Sequence, residues 1–174
     1  MGFLSRKPKY LSPEKQAKLD NRLIDAAERG DAKAVQTLVA TGADVHARSD
    51  WALRQAADHG YAETVRVLLT VGASVHAMDD FSLRAAACTG HTETLRVLAR
   101  HIFAPDSWRG KSRAVIEATA TALYDKVKTH NLQPEDLHKV ATILADCAID
   151  CWHQVRPPPP KLQISPLPAQ PRPL

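Results

Sequence analysis

Few residues of this 174-residue chain stand at spacings that metal chemistry would use. The strongest group is Cys147 and Cys151, four residues apart on one predicted helix, with Asp146, Asp150 and His153 beside them. Thiolates, imidazoles and carboxylates are zinc ligands, but this spacing matches no common structural zinc pattern and offers no evident fourth ligand. Both cysteines also fall on the apolar stripe of the helix, which is typical of core cysteines. We therefore predict no metal site and no cofactor.

Recognisable catalytic motifs are absent from the sequence. It contains no phosphate-binding loop, no Gly-x-Ser-x-Gly, no His-Glu-x-x-His and no dinucleotide-binding fingerprint. Its aspartates and histidines follow a regular interval along the chain instead. Because no set of nucleophile, base and stabilising group can be assembled from them, the sequence predicts a protein that is not an enzyme.

Two arginines could bind carboxylates or phosphates. Arg54 and Arg84 stand thirty residues apart at equivalent positions, and a guanidinium group binds both kinds of anion well. A second interpretation is structural, with each arginine donating hydrogen bonds to a neighbouring turn. Trp51 and Phe81 match in the same way, either as binding anchors or as rings that fill space beside the turns. We favour the structural interpretation for all four, because residues in phase with a repeat usually serve its stacking.

The charge of the chain is unevenly distributed. Residues 1–19 carry five basic side chains and one acidic one, whereas residues 20–104 carry nine basic and eleven acidic ones. A nucleic-acid-binding domain normally has a basic face on its folded part, and this middle region is slightly acidic. The odd number of cysteines, the lack of a secretory signal and the lack of a long apolar run predict a soluble, cytoplasmic protein.

The elements that position these residues recur along the chain. Gly30, Gly60 and Gly90 are thirty residues apart, and apolar positions repeat at the same interval. In the second unit the pattern predicts one helix from about Asp50 to Asp58, a glycine turn, and another helix from about Ala62 to Thr70. No unit can bury its apolar face alone, so the units must stack.

These units resemble ankyrin repeats. The resemblance rests on the alanine pairs Ala26-Ala27, Ala56-Ala57 and Ala86-Ala87, the glycine that follows each pair, and closing segments such as Gly42-Ala43-Asp44-Val45. The family unit has 33 residues, whereas these have 30 and resemble short repeats of viral, phage and bacterial proteins. The shortening lies between Ala47 and Leu53 and at the matching place in the next unit. We therefore expect a stunted hairpin and a shallow groove.

The resemblance implies an all-α solenoid of about three short repeats that binds another protein through its concave face. It also suggests a phage, viral or bacterial effector that inhibits a host defence factor. In ankyrin proteins, turn residues and the ends of the first helices commonly contact partners. With the two arginines and two aromatic residues, these positions form the candidate partner-binding set: Arg48, Ser49, Trp51, Arg54, Asp58, His59, Met78, Asp79, Phe81, Arg84, Cys88 and Thr89.

We divide the chain into four segments, with no membrane association. A basic tail and lead-in helix (1–19) precede the repeats (20–49, 50–79 and 80–104), a helical hairpin (105–155) follows them, and a proline-rich flexible tail (156–174) ends the chain. The hairpin is expected to cover the third repeat or to form a dimerisation surface. Two alternative functions stay open. One is nucleic-acid binding by the basic tail with Arg54 and Arg84, and the other is a structural subunit that oligomerises through the C-terminal helices.

Overall fold

The computed structural model describes residues 12–129 and 132–155. Within these ranges the chain forms α-helices and no strand, which confirms the predicted all-α class. The helices in chain order are α1 (Pro13–Glu28), α2 (Ala32–Ala40), α3 (Ala47–Asp58), α4 (Ala62–Thr70), α5 (Ala77–Cys88), α6 (Thr92–Ile102), α7 (Pro105–Trp108), α8 (Arg113–Lys128) and α9 (Pro134–Val155). The proline-rich tail, most of the basic tail, and residues 130–131 of the predicted hairpin lie outside the described residues.

The first six helices form two stacked rows, as the thirty-residue interval predicts. In one row α1 packs on α3 and α3 on α5, and in the other α2 packs on α4 and α4 on α6. Leu23, Leu53 and Leu83 stand in phase and are completely buried. Burying a leucine side chain contributes roughly 1.5–3 kcal/mol, so the in-phase residues supply the core of the array.

The first repeat has a more polar outer face than the next two. Arg22 is exposed, whereas the equivalent residues of the next two units, Ala52 and Ser82, are buried against the preceding unit. The predicted lead-in segment and the first helix of this repeat form one continuous helix, α1. Such a polar outer face is typical of a capping repeat.

The array ends on a helical hairpin. Helix α9 packs against α6 and α8, and α8 packs against α5, so the hairpin covers the end of the third repeat. Ile116, Val140 and Leu144 supply its buried side chains. The short helix α7, which the sequence analysis did not predict, begins at Pro105 where the third unit departs from the repeat.

Candidate partner-binding surface

A tight left-handed turn replaces the hairpin that the short repeats lack. Arg48, Ser49 and Asp50 have φ angles of 54°, 58° and 56°, and the equivalent residues 78–80 of the next unit adopt the same conformation. Non-glycine residues adopt this conformation only where their surroundings hold them in it. The stunted hairpin expected from the sequence is therefore a turn of three residues in the left-handed conformation.

A buried aspartate closes this turn and joins it to the next repeat. The Oδ1 atom of Asp50 accepts a hydrogen bond from the backbone N–H of Ser74 at 2.8 Å and one from His46 Nδ1 at 3.0 Å. One unit earlier, Asp20 likewise accepts a hydrogen bond from the backbone N–H of the next turn, that of Asp44, at 2.8 Å. Because buried carboxylates must be hydrogen-bonded to be tolerated, these contacts fix the spacing between neighbouring turns.

Arg54 supports the turn from the other side. Its Nε donates to the carbonyl oxygen of Ser49 at 3.1 Å, and its Nη2 donates to that of Arg48 at 2.9 Å. The residue is 8% exposed. Its guanidinium carbon lies 4.5 Å from the centre of the Trp51 ring and 5.5 Å from that of Phe81, within the range of cation–π attraction. The structural interpretation accounts for these contacts of Arg54.

Arg84 repeats this arrangement more loosely at the end of the array. Its Nη2 donates to the carbonyl oxygen of Met78 at 3.2 Å, and its guanidinium carbon lies 5.9 Å from the centre of the Phe81 ring. Arg84, Trp51 and Phe81 are all half-buried. Each therefore supports its turn and keeps part of its surface accessible.

The other eight candidates are exposed and occupy two rows. Arg48, Ser49, Met78 and Asp79 lie in the left-handed turns, and Met78 is 58% exposed. Asp58, His59, Cys88 and Thr89 lie at the ends of α3 and α5. We call these eight residues the variable surface, because their types differ between units: Arg48, Ser49, Met78, Asp79, Asp58, His59, Cys88 and Thr89.

Adjacent units contribute to one continuous surface. Partial burial raises the pKa of the Cys88 thiol, nearby Arg84 lowers it, and Asp58 of the preceding unit raises it, with a net increase. Asp58 and Cys88 are therefore close enough to interact electrostatically. The His59 ring stacks in parallel on that of Tyr61, with the ring centres 5.9 Å apart. Asp58 and His59 at the end of α3 and Cys88 at the end of α5 are all exposed.

The cysteines of α9 belong to the core. Cys147 and Cys151 are buried as free thiols, and burial raises the pKa of both, which makes them poor nucleophiles. Among the described residues, no three histidine, cysteine, aspartate or glutamate side chains are placed to hold a metal ion. Across residues 12–129 and 132–155, no helix has the length and apolar character needed to cross a membrane.

From the sequence we did not predict the contacts of a row of aspartates, Asp20, Asp50 and Asp80, which we call the carboxylate ladder. Nor did we predict Lys126, the residue that ends this row. Asp20, Asp50 and Asp80 recur at the repeat interval, and that recurrence was the signal that could have found them. Lys126 of α8, which donates to Asp80 at 2.5 Å, has no such signal because it lies outside the repeats.

Comparison with known proteins agrees with this architecture. The family model for ankyrin repeats matches residues 23–109 in three copies, which is half of the chain. No curated protein matches the sequence significantly. Ankyrin repeats generally serve as protein–protein interaction modules. With its three stacked helix pairs and this match, the chain belongs to the ankyrin-repeat family.

Proposed function

We propose that this protein binds a partner protein, without catalysis or cofactor, through the variable surface, which corresponds to the concave face of the array. The observation that carries the proposal is that eight exposed residues differ between units while the buried positions between them repeat. Stacking constrains the residue types at the buried positions, so the residue types at the exposed positions can vary to match a partner. Trp51, Phe81 and Arg84, which are half-buried, extend this surface toward the turns.

We do not propose Arg54 as a residue that contacts the partner. Its burial and its two bonds to backbone carbonyls assign it to the turn. Nucleic-acid binding gains no support from Arg54, since its Nε and Nη2 donate to backbone carbonyls and phosphate binding needs available donors. Oligomerisation through the C-terminal hairpin would have to use the faces of α8 and α9 that do not cover α5 and α6.

A narrower form of the proposal concerns the partner. Short repeats of this kind resemble those of viral, phage and bacterial proteins, and we propose that this protein occupies and inhibits a host factor in the cytoplasm. Its three free cysteines suit that reducing compartment. This form rests on the family resemblance, and the identity of the captured partner tests it.

The experiment is affinity capture from a lysate of the native host, identification of the bound proteins by mass spectrometry, and repetition with each purified partner. The test variant is Asp58→Arg with Met78→Arg, since arginine already stands at the position equivalent to Met78 in the preceding turn. The control is Gln36→Arg, an exposed residue of α2 in the other row of helices. Circular dichroism must show equal helix content for all three proteins.

We expect the test variant to bind the purified partner at least about tenfold more weakly, a loss of about 1.4 kcal/mol, and the control to bind as the wild type does. Equal binding by the test variant and the wild type would contradict the proposal. So would a loss caused by Gln36→Arg alone. A captured partner that is neither a regulatory nor a defence protein would overturn only the proposal that this protein inhibits a host factor.

A further inference from the structure

The third repeat lacks its closing turn, and a groove lies in that region. After α2 and α4 the chain makes the turns that contain Gly42 and Gly72, but after α6 it runs directly into α7 at Pro105. The second turn therefore borders an open groove of about 440 Å³, with α6, α7 and α8 as its other walls. The residues that line this groove are Ala73, Ser74, Val75, His76, His101, Ile102, Ser107, Trp108 and Thr119.

The groove is rich in hydrogen-bond donors and carries no acidic side chain among its lining residues. The imidazoles of His76 and His101 and the hydroxyls of Ser74 and Ser107 can all donate. The apolar part of the wall is firmly held, because Trp108 Nε1 donates to the carbonyl oxygen of Ile102 at 2.7 Å. A rigid wall with several donors and no carboxylate favours an anionic ligand.

The protein orients His76 for this role. Its Nδ1 donates to Oδ1 of the buried Asp80 at 2.6 Å, which leaves Nε2 as the ring nitrogen available to a ligand. A carboxylate hydrogen-bonded to one ring nitrogen fixes the orientation of the ring. Asp80 is 3% exposed and also accepts from Lys126, so its own position is fixed.

His101 faces the same groove from α6. Burial lowers the pKa of His101, and the positive charge of His76 lowers it further. The two imidazoles are therefore close enough for their charges to repel each other. Asp80 pairs with His76, and Asp79 and Asp80 of α5 both pair with Lys126 of α8. Arg100 and Asp106 are next in sequence to the lining residues His101 and Ser107. A bound anion would favour the charged form of His101, which burial disfavours.

We propose that this groove is a binding site for an oxyanion of phosphate type, either free inorganic phosphate or a phosphate ester, held by His76, His101 and the hydroxyls of Ser74 and Ser107. A tetrahedral oxyanion presents several acceptor oxygens to donors that converge from different elements. None of the residues that line the groove belongs to the variable surface, and the proposed anion site does not depend on the proposed protein partner.

The experiment is an NMR titration of the full-length chain with inorganic phosphate, followed through the histidine ring signals at constant ionic strength maintained with chloride. Acetate and O-phosphoserine serve as parallel ligands that distinguish a carboxylate, a free phosphate and a phosphate ester. His46 is the internal control, because it pairs with Asp50 at 3.0 Å as His76 pairs with Asp80 but does not line the groove.

We expect the signals of His76 and His101 to shift and saturate with phosphate or O-phosphoserine while those of His46 stay in place. The binding should tighten as the pH falls below about 6.5, because the lowered pKa of His101 means that this ring gains its charge only below that value. His76→Gln and His101→Gln should each weaken binding about tenfold or more, a change of about 1.4 kcal/mol. His46→Gln should leave it unchanged.

Shifts that do not saturate, or that affect His46 equally, would show nonspecific ion binding and overturn the proposal. Equal binding of acetate would overturn the phosphate class. An unchanged affinity in the folded His101→Gln variant would overturn the assigned residues. Because His101 is exposed, we expect the His101→Gln variant to fold. It therefore tests the proposal even if His76→Gln unfolds the turn.

Discussion

Lys126 of α8 donates from Nζ to Oδ2 of Asp80 at 2.5 Å. In the preceding unit the equivalent carboxylate, that of Asp50, accepts a backbone N–H from the next turn instead. The third repeat has no next turn, so a lysine from the C-terminal hairpin supplies the donor that the stack no longer provides. The same ammonium group lies 2.8 Å from Asp79. The hairpin therefore ends the carboxylate ladder as well as covering the apolar core.

Replacing Lys126 should weaken the attachment of the hairpin. In Lys126→Met the buried Asp80 keeps His76 and loses its ammonium partner, and a buried polar group that loses a partner costs about 1–3 kcal/mol. We expect the free energy of unfolding in urea to fall by that amount. Lys128→Met, at an exposed position of the same helix, is the control. Equal stability of the two variants would contradict the prediction.

The same contact should be sensitive to alkaline pH. Hydrogen bonds to Asp79 and then Asp80 raise the pKa of Lys126. A group whose pKa is higher in the folded state stabilises the fold below its unfolded pKa, about 10.4 for lysine, and loses that contribution as pH rises through the folded value. We therefore expect the stability difference between wild type and Lys126→Met to narrow above about pH 10. Urea unfolding across this pH range measures the stability difference, and a difference that stays constant would contradict the role assigned to Lys126.

Arg54 should contribute more to stability than Arg84. Lysine cannot reproduce two hydrogen bonds from one planar group or the contact with two rings. Arg54→Lys should lower the free energy of unfolding by about 1–3 kcal/mol, and Arg84→Lys by less, because Arg84 is half-buried. Chemical denaturation of both variants tests the order. A greater loss in Arg84→Lys would show that the turns do not depend on Arg54.

Two glycines of the repeat should differ in their tolerance of alanine. Gly60 and Gly90 have φ angles of 77° and 74°, so alanine is strained at either, by about 1–2 kcal/mol. At Gly60 a Cβ atom would also lie 2.5 Å from atoms of the His91 ring, whereas at Gly90 nothing lies within 4 Å. Gly60→Ala should therefore lower the melting temperature more than Gly90→Ala. Equal losses would mean that only the backbone conformation matters.

The sequence by itself was sufficient for the repeat and its helices. A thirty-residue interval in glycine, leucine and alanine places helix ends and core positions, because only residues at the stacking interface must recur in phase. The helix predicted at Ala62–Thr70 is confirmed residue by residue. The interval also marked Arg54 and Trp51 as equivalent to Arg84 and Phe81. The candidate contact residues and the segment boundaries stay predictions.

The tertiary structure alone decided which partners these side chains have. The hydrogen bond from the backbone N–H of Ser74 to Asp50 joins residues 24 apart, and the bond from Lys126 to Asp80 joins residues 46 apart. Periodicity encodes which side of a helix is buried, but it does not encode which donor reaches a carboxylate from another element. The groove beside His76 and His101 has the same origin, since it lies where the third turn is missing and α7 and α8 come close. Such contacts depend on how the elements pack in three dimensions, which a sequence pattern does not specify.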